Sequence, residues 1–598
     1  LESPTRVFTS EDRSVLAVAN AEIYNAPELR ERLAGRGHAF STGIDTEVLP
    51  HLYEEHGSDL VTGLRGMFAI AIWDGRSERL LLGRDRAGEK PLFYWQGADE
   101  LVFASELRAL LAHPRVAPAV DARALSRYLL HDFFPAPWTP LAGVHKLPAG
   151  HLLLAGRRGL TVRKYWDAAD HVENDELSRR DPRSLAAELD ERLATAVRRR
   201  RQADTRVGVF LSGGLDSTAV LSHLSEQVGA GVPAFAIGHA DPEFDESRFA
   251  AETARHFGAE LHPLVLGEAD LADGLRRVAE GFDEPLGDAS TIPSHLLARF
   301  ARQHVKVVLS GEGADELFAG YPTYIGHRLG GYYRRLPAAV RRAVIGVAGW
   351  LPSGMGNVSP GYLLHRFAMG ADSDPVERHH LWFGSIGPEL QRQVLSPALL
   401  EVLREDDPWS EARRHAHARS WPDELDQHLY TDFSMYLQDD LLTKIDRATM
   451  LASLESRAPY LDTDLMEFAA GIPARHKLSG LSTKAVLRRA VRQRVPKAVL
   501  TRRKRGFNIP FSRWLLHGFG EELRERFSED RVAVRGLFCA GGVSRLLDEH
   551  LSRQCDHRKP LFNLLALDLW CDRTFGEGEP VPIEEAKPAA EPVGSGAW

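Results

Sequence analysis

Cysteine is nearly absent from these 598 residues: three occur, Cys539, Cys555 and Cys571, all late in the chain and none in a CxxC pair. That excludes a disulfide framework and argues against a thiolate zinc site, so all three are expected to be reduced, structural thiols. Also missing is any run of 18 or more apolar residues, and the start lacks a signal-peptide pattern, so the expected setting is cytoplasmic. A net charge of −9 leaves no broad basic surface for nucleic acid or anionic membrane, and the arginine clusters at 198–201 and 502–505 are local. No nucleic-acid or membrane partner is expected. No internal repeat is visible.

What the chain does have is length for two to four domains and the composition of an ordinary globular enzyme. One stretch organises it. An apolar run at 207–211 leads into Ser212, Gly213, Gly214, Leu215, Asp216 and Ser217, after which Thr218, Ala219, Val220 and Leu221 read as a helix opening. A strand, a Gly-rich turn and a helix N-terminus together hold phosphate. The glycines let backbone N–H groups approach the anion, and the helix end supplies unpaired donors and partial positive charge. Asp216 would repel a polyphosphate unless a divalent cation lay between them, so the loop itself suggests Mg²⁺. No Gly-Lys-Ser/Thr ending follows, which disfavours a kinase-type P-loop. The plain alternative is a strand–helix turn that binds nothing.

The surroundings favour the first reading. An amphipathic helix at 184–200 precedes strands at 207–211, 232–238, 261–266 and 305–309, with helices at 246–257 and another ending near 278. That alternation predicts a parallel, doubly wound sheet. Its last strand runs into Ser310, Gly311, Glu312, Gly313, Ala314 and Asp315. Two Gly-rich loops, each with an Asp, would then face one another across the carboxyl ends of the strands, where open α/β sheets bind ligands. Asp216 and Asp315 are the expected Mg²⁺ ligands, and each alone would pass for a helix-capping acid.

Ahead of this region, 14–19 reads as a strand ending at Asn20, with a helix over 27–33. A buried strand at 66–74 turns at Asp74 and Gly75 into a second at 79–83, a hairpin signal. Sheet with few helices is expected as far as about 160.

The resemblance becomes specific in three segments: Asn20 to Asn25 (Asn-Ala-Glu-Ile-Tyr-Asn), Gly83 to Tyr94, and Phe103, Ala104, Ser105, Glu106 and Leu107. They resemble the glutaminase domain of glutamine-dependent asparagine synthetases, an N-terminal-nucleophile αββα sandwich. The resemblance implies that Asn20 and the Ala21 N–H belong to an oxyanion hole, and that Glu22 and Asp45 hold the α-amino group of glutamine. An oxyanion needs preorganised donors and an ammonium needs carboxylates, so the chemistry is consistent. The family has Gly where Ala21 stands, so strain is expected there if φ is positive. Its Cys nucleophile opens the mature chain, yet no Cys precedes Cys539. The nucleophile and first strand are expected upstream of Leu1, the start of the chain being missing.

The second half resembles the PP-loop ATP pyrophosphatase domain of the same family. Further matches are Asp283-Glu284-Pro285, Asp439 to Arg447 on a helix over 436–450, Leu454 to Pro459, Thr483-Lys484 with Leu487-Arg488, and Lys504 to Pro510. The resemblance implies cleavage of ATP to pyrophosphate and an acyl-AMP. Ser212, Gly213, Gly214, Asp216, Ser217 and Ser310 would bind phosphate, while Leu211, Ile237 and Gly311 would contact adenosine. Lys484 would stabilise the developing charge, and Glu312 would orient Lys484 or deprotonate ammonia. The expected layout is a glutaminase-type domain at 1–160, a synthetase domain at 184–575 with a helical C-terminal part, and a disordered tail at 576–598. The Arg-rich helical stretch at 326–422, with turns at 352–354 and 359–361, would cover the active site or build a subunit contact, as in a homodimer.

The reading is therefore a ligase that uses ATP, Mg²⁺ and glutamine to amidate a carboxylic acid, aspartate or a specialised biosynthetic acid. The rival is an ATP-dependent cyclase of the β-lactam synthetase or lasso-peptide type with an inert glutaminase domain. Glu312 stands where the β-lactam branch generally has Tyr, and the retained Asn20, Glu22 and Asp45 weigh against the lasso branch. A non-catalytic ATP-sensing relic is opposed by Asp216, Asp315, Glu312 and Lys484.

Overall fold

The computed structural model describes residues 6–584 apart from 158, 173, 242, 351–363, 365, 369, 371 and 503–509. In its first part, chain order runs β1 (Phe8–Thr9), β2 (Val15–Ile23), α1 (Ala26–Ala34), α2 (Val48–His56), β3 (Gly66–Asp74) and β4 (Arg79–Arg84). It continues through β5 (Phe93–Gln96), β6 (Leu101–Ala104), α3 (Leu107–Leu111), β7 (Val120–Asp121), α4 (Ala122–His131), β8 (Val144–Lys146), β9 (His151–Gly156) and β10 (Gly159–Lys164). Strands 1-2-3-4-9-10 form one antiparallel sheet and 6-5-8 a second.

Burial orders these elements into four layers. Val15, Ala17, Phe68, Ile70 and Ile72 face Leu29, Leu33, Leu49 and Leu52 of α1 and α2. The opposite face puts Ala69, Ala71 and Leu82 against Leu92, Tyr94 and Leu147 beside the second sheet. Beyond that sheet, Phe93 and Val144 pack on Leu107, Leu110 and Leu125 of α3 and α4. Helix, sheet, sheet, helix is the expected αββα sandwich. The expectation of few helices was too sparse, because α2 and α4 hold buried runs that a strand would hold equally well.

The expected hairpin pairs Asp74 with Arg79, and the Asp74 carboxylate accepts the Arg76 N–H at 3.0 Å. β2 does not stop before Asn20. It pairs with β3 through Ile23, so Ala21 is extended and opposite Phe68. The positive φ that would have strained Ala21 does not arise.

The second part begins with α5 (Pro182–Arg200), capped by the Asp181 carboxylate. Then come β11 (Val207–Phe210), α6 (Leu215–Val228), β12 (Pro233–His239), α7 (Ser247–Phe257), β13 (Glu260–Leu266), α8 (Glu268–Gly281), α9 (Thr291–Ala301), β14 (Val307–Leu309) and α10 (Ala314–Phe318). A π-helical stretch, Asp432–Leu441, continues into α11 (Leu442–Met450), followed by β15 (Glu455–Arg457) and α12 (Arg558–Phe575). Strand order is 13-12-11-14-15, all parallel. From β11 the chain winds outward through β12 and β13, then returns to β14 on the other side. The switch point therefore lies between β11 and β14.

The tail departs from expectation. Ile583–Glu584 forms β16, parallel to β7, and Val120 donates its N–H to Pro582 O at 2.7 Å. Val581 is buried. Residues 576–584 are thus ordered against the sandwich, while 585–598 lie outside the described residues, as do the turns expected at 352–354 and 359–361 and most of the motif at 504–510. Among the described residues, no helix is long and apolar enough to cross a membrane.

Candidate active site

The loop after β11 closes on itself through its two serines. Ser217 Oγ accepts the Ser212 N–H at 3.3 Å and lies 3.2 Å from Ser212 Oγ, which accepts the Gly214 N–H at 3.2 Å. Gly213 has φ +68°, and a Cβ there would lie 2.7 Å from Ala250 N and Phe249 C. Only glycine lets the loop lie this close to the start of α7. No side chain caps α6, whose first turn carries Asp216. Its leading N–H groups and partial positive charge face the crevice.

Opposite stands Asp315, in the first turn of α10. Lys484 joins the two loops: its Nζ lies 2.6 Å from Asp216 Oδ2 and 2.7 Å from Asp315 Oδ1. The backbone of Lys484 is left-handed, φ +52°, and its N–H donates to Phe318 O at 3.1 Å. A strained lysine fixed to a neighbouring loop is a side chain aimed at one place. Burial works against its charge, but Asp216 and Asp315 outweigh burial and hold the ammonium above the usual lysine pKa. Asp216 Oδ1 is buried with no hydrogen-bond partner among the described residues. A buried carboxylate oxygen left over beside a second carboxylate is a hard-donor arrangement that fits Mg²⁺.

Behind this trio opens a cavity of about 650 Å³. Leu211, Ser212, Gly214, Asp216, Ser217, Ile237, Ser310, Gly311, Glu312, Asp315 and Lys484 all line it. Gly213 does not; it supports the loop from behind. The contacts of the Lys484 ammonium run to the two aspartates, whereas the charge of Glu312 acts on Lys444, which burial disfavours but Asp288, Asp440 and Glu312 hold above the usual range. Lys444 Nζ donates to Asp288 Oδ2 at 2.7 Å and Ser290 Oγ at 3.0 Å. Burial, then the charge of Asp288, raises the Asp440 carboxyl well above the ordinary range.

Sequence reasoning quoted Asp440 and Lys444 only as part of a motif and missed Asp132, Asp288 and Lys559, which also line the cavity. The four-residue spacing of Asp440 and Lys444 on a helical stretch was the one usable signal. Asp132, Asp288 and Lys559 arrive from distant segments and leave no local signal.

The residues expected to hold glutamine meet at the end of β2. Asn20 reaches Ser105 Oγ at 3.5 Å, and Asp45 Oδ2 accepts the Ile23 N–H at 2.6 Å. Glu22 Oε1 lies 3.1 Å from Arg457 Nη2 on β15. Burial pushes the Glu22 carboxyl up to about 7, with Arg457 opposing, and burial also raises Asp45.

The asparagine synthase family model matches residues 188–572, well over half of the chain, and the glutamine amidotransferase domain model matches residues 3–166. The chain belongs to the asparagine synthase family. It is 30% identical over 572 residues to asparagine synthetase [glutamine-hydrolyzing] 1 of Bacillus subtilis, covering 95% of this chain and 87% of that one. It is 29% identical over 548 residues to asparagine synthetase [glutamine-hydrolyzing] 3 of the same organism (89% and 81% covered). With amidase chyE of Penicillium rubens it shares 26% over 599 residues (92% and 85% covered). As a member of this family the chain is a C–N-forming ligase that amidates with ATP and glutamine.

Proposed function

We propose that this ligase adenylates a carboxylic acid in the cavity between β11 and β14 and converts the acyl-AMP to an amide with glutamine-derived ammonia. The observation that carries the reading is the Lys484 ammonium bridging Asp216 and Asp315 at the switch point. Asp216 and Asp315 would hold Mg²⁺, which when bound neutralises the pyrophosphate oxygens. Ser212, Gly214 and Ser217 bind the departing pyrophosphate, and Gly213 keeps their loop tight. Lys484, held beside the aspartate pair, stabilises the charge that develops at the α-phosphate during attack by the acid. Leu211, Ile237 and Gly311 contact adenosine. Glu312 takes the proton from the attacking ammonia. Asn20 and the Ala21 N–H serve the oxyanion of glutamine hydrolysis, with Glu22 and Asp45 holding the α-ammonium.

Aspartate is the first acid to test, within a panel of amino-acid and other biosynthetic carboxylates. Pyrophosphate release is expected to require both an acid and Mg²⁺. Asp315→Asn should lower kcat by about 10²–10³-fold, the scale of losing one preorganised charge contact. Release of pyrophosphate without any acid, or full activity in Asp315→Asn, would overturn the proposal.

A further inference from the structure

A second group of ligand-type side chains lies outside the synthetase site, on the first sheet's helical face. Glu11 stands in the turn between β1 and β2, His38 follows α1, and His51 and Glu54 occupy one face of α2 three residues apart. One ligand atom from each lies within 4.8 Å of all the others. His38 Nδ1 is 3.3 Å from Glu11 Oε1 and 3.9 Å from Glu54 Oε2, and His51 Nδ1 is 3.3 Å from Glu11 Oε2. Zinc bonds of 2.0–2.1 Å imply ligand–ligand separations of about 3.3–3.4 Å in a tetrahedron.

Both rings turn a nitrogen toward the carboxylates. His38 Nε2 faces Glu55 Oε1 at 3.3 Å. His38 Nδ1 lies at the same distance, 3.3 Å, from Glu11 Oε1, so the ring is held between Glu55 and Glu11 with Nδ1 turned to the centre of the group. His51 is 2% exposed, and its Nδ1 has no aligned hydrogen-bond partner among the described residues although it too faces Glu11. Two imidazoles and two carboxylates converge on one point, a donor set that suits a zinc-type ion. The outer contacts match a built metal site, where ligands are themselves oriented. Glu55 braces His38, the Ala39 N–H donates to Glu11 Oε1 at 2.8 Å, and Arg76 lies 3.6 Å from Glu54 Oε1.

Another triple, His327, His379 and His428, shows the contrast. There Arg378 Nη2 lies 2.9 Å from His327 Nδ1, and a guanidinium can only donate. His327 Nε2 must therefore carry hydrogen and donate to His379 Nδ1 at 2.8 Å, and His379 Nε2 donates to Asp432 at 2.7 Å. That chain spends its lone pairs on donors. In the Glu11 group, Glu11 Oε1 accepts from Ala39, and the buried atom left without an aligned partner among the described residues is His51 Nδ1.

We propose that Glu11, His38, His51 and Glu54 bind one zinc-type divalent cation, which ties the β1–β2 turn and the loop after α1 to α2. Equilibrium dialysis of the whole chain against zinc chloride is expected to leave one ion at this site. X-ray absorption should show two imidazole nitrogens with carboxylate oxygens at about 2.0–2.1 Å and no sulfur. The double variant His38→Gln with Glu54→Gln should lose that ion, while Asp315→Asn, at the other acidic site, should keep it. Glu55→Gln, which changes no ligand and sits on the rim, should weaken zinc 10–100-fold, and it serves if the double variant does not fold. Zinc uptake at background level, uptake unchanged in these variants, or a spectrum with fewer than two imidazoles would overturn the assignment.

Discussion

At Gly320 a Cβ would lie 1.7 Å from Asp315 Oδ1 and 2.2 Å from Lys484 Cε. The φ there is not positive, so the demand is purely steric. Neither neighbour can withdraw cheaply, since Lys484 is fixed by its left-handed backbone and Asp315 by the first turn of α10. Gly320→Ala is therefore expected to push the lysine off the aspartate pair. Overpacking of this kind costs about 1–3 kcal/mol in stability. Misplacement by an ångström costs about 100-fold in rate, so acid-dependent pyrophosphate release should fall at least that far. Glutamine binding, read by calorimetry, should be unchanged. A variant with normal pyrophosphate release would mean that Lys484 does not need its observed position.

Among the elements, β7 and β16 make the clearest case for what a sequence hides. The tail from Gly576 is rich in Pro, Glu and Gly, and its composition reads as chain that cannot bury enough to order. What orders 576–584 is borrowed: Val581 is buried, Val120 bonds Pro582 O, and Arg535 donates to the carbonyls of Gly576 and Glu579 at 3.2 and 3.1 Å. Truncation after Glu584 provides the reference unfolding midpoint. Truncation after Phe575 should cost about 2 kcal/mol, the scale of one buried valine, and show as a lower unfolding midpoint. Equal midpoints would show that the β7–β16 pair contributes nothing. By contrast, the loops at Ser212–Ser217 and Ser310–Asp315 were legible because backbone chemistry dictates them locally: glycines, a following helix, an acid in its first turn. The strands β11 to β14 were legible within about two residues for the same reason. The cavity wall was not, because Asp132, Asp288 and Lys559 share it only through tertiary packing. Nor did periodicity forecast the π-helical stretch Asp432–Leu441, whose wider turn carries Tyr436, Asp440 and Leu441 at the cavity.

Across the whole molecule, buried ion pairs are among the contacts that join the antiparallel and parallel halves. Arg200 of α5 grips Glu89 at 2.5 and 2.7 Å, Lys90 meets Asp446 at 3.0 Å, and Lys146 meets Glu284 at 2.9 Å. Glu22 with Arg457 also links the halves and differs from the rest, because Glu22 is only half-buried and lies in the proposed glutamine site. Arg457 does not depend on it: Glu455 lies at 2.6 Å, and the carbonyls of Arg200 and Gln202 accept from its Nη1 at 3.1 and 2.5 Å. Burial raises Glu22 to about 7, against an ordinary glutamate value of 4.5. The folded state thus prefers the proton. That preference stabilises fully below about pH 4.5 and is lost as pH rises through about 7, a difference on the order of 3 kcal/mol. Glu22→Gln holds the neutral form at every pH. Against the parent chain it should be equally stable at pH 5 and more stable at pH 8, measured by urea unfolding at both. The same change should raise KM for glutamine at least about tenfold, by removing a charge-assisted bond to the ammonium, while amidation driven by ammonium salts continues. Lower stability of Glu22→Gln at pH 8 would instead make the pair with Arg457 a net contributor to the fold, and an unchanged KM would remove Glu22 from the glutamine site.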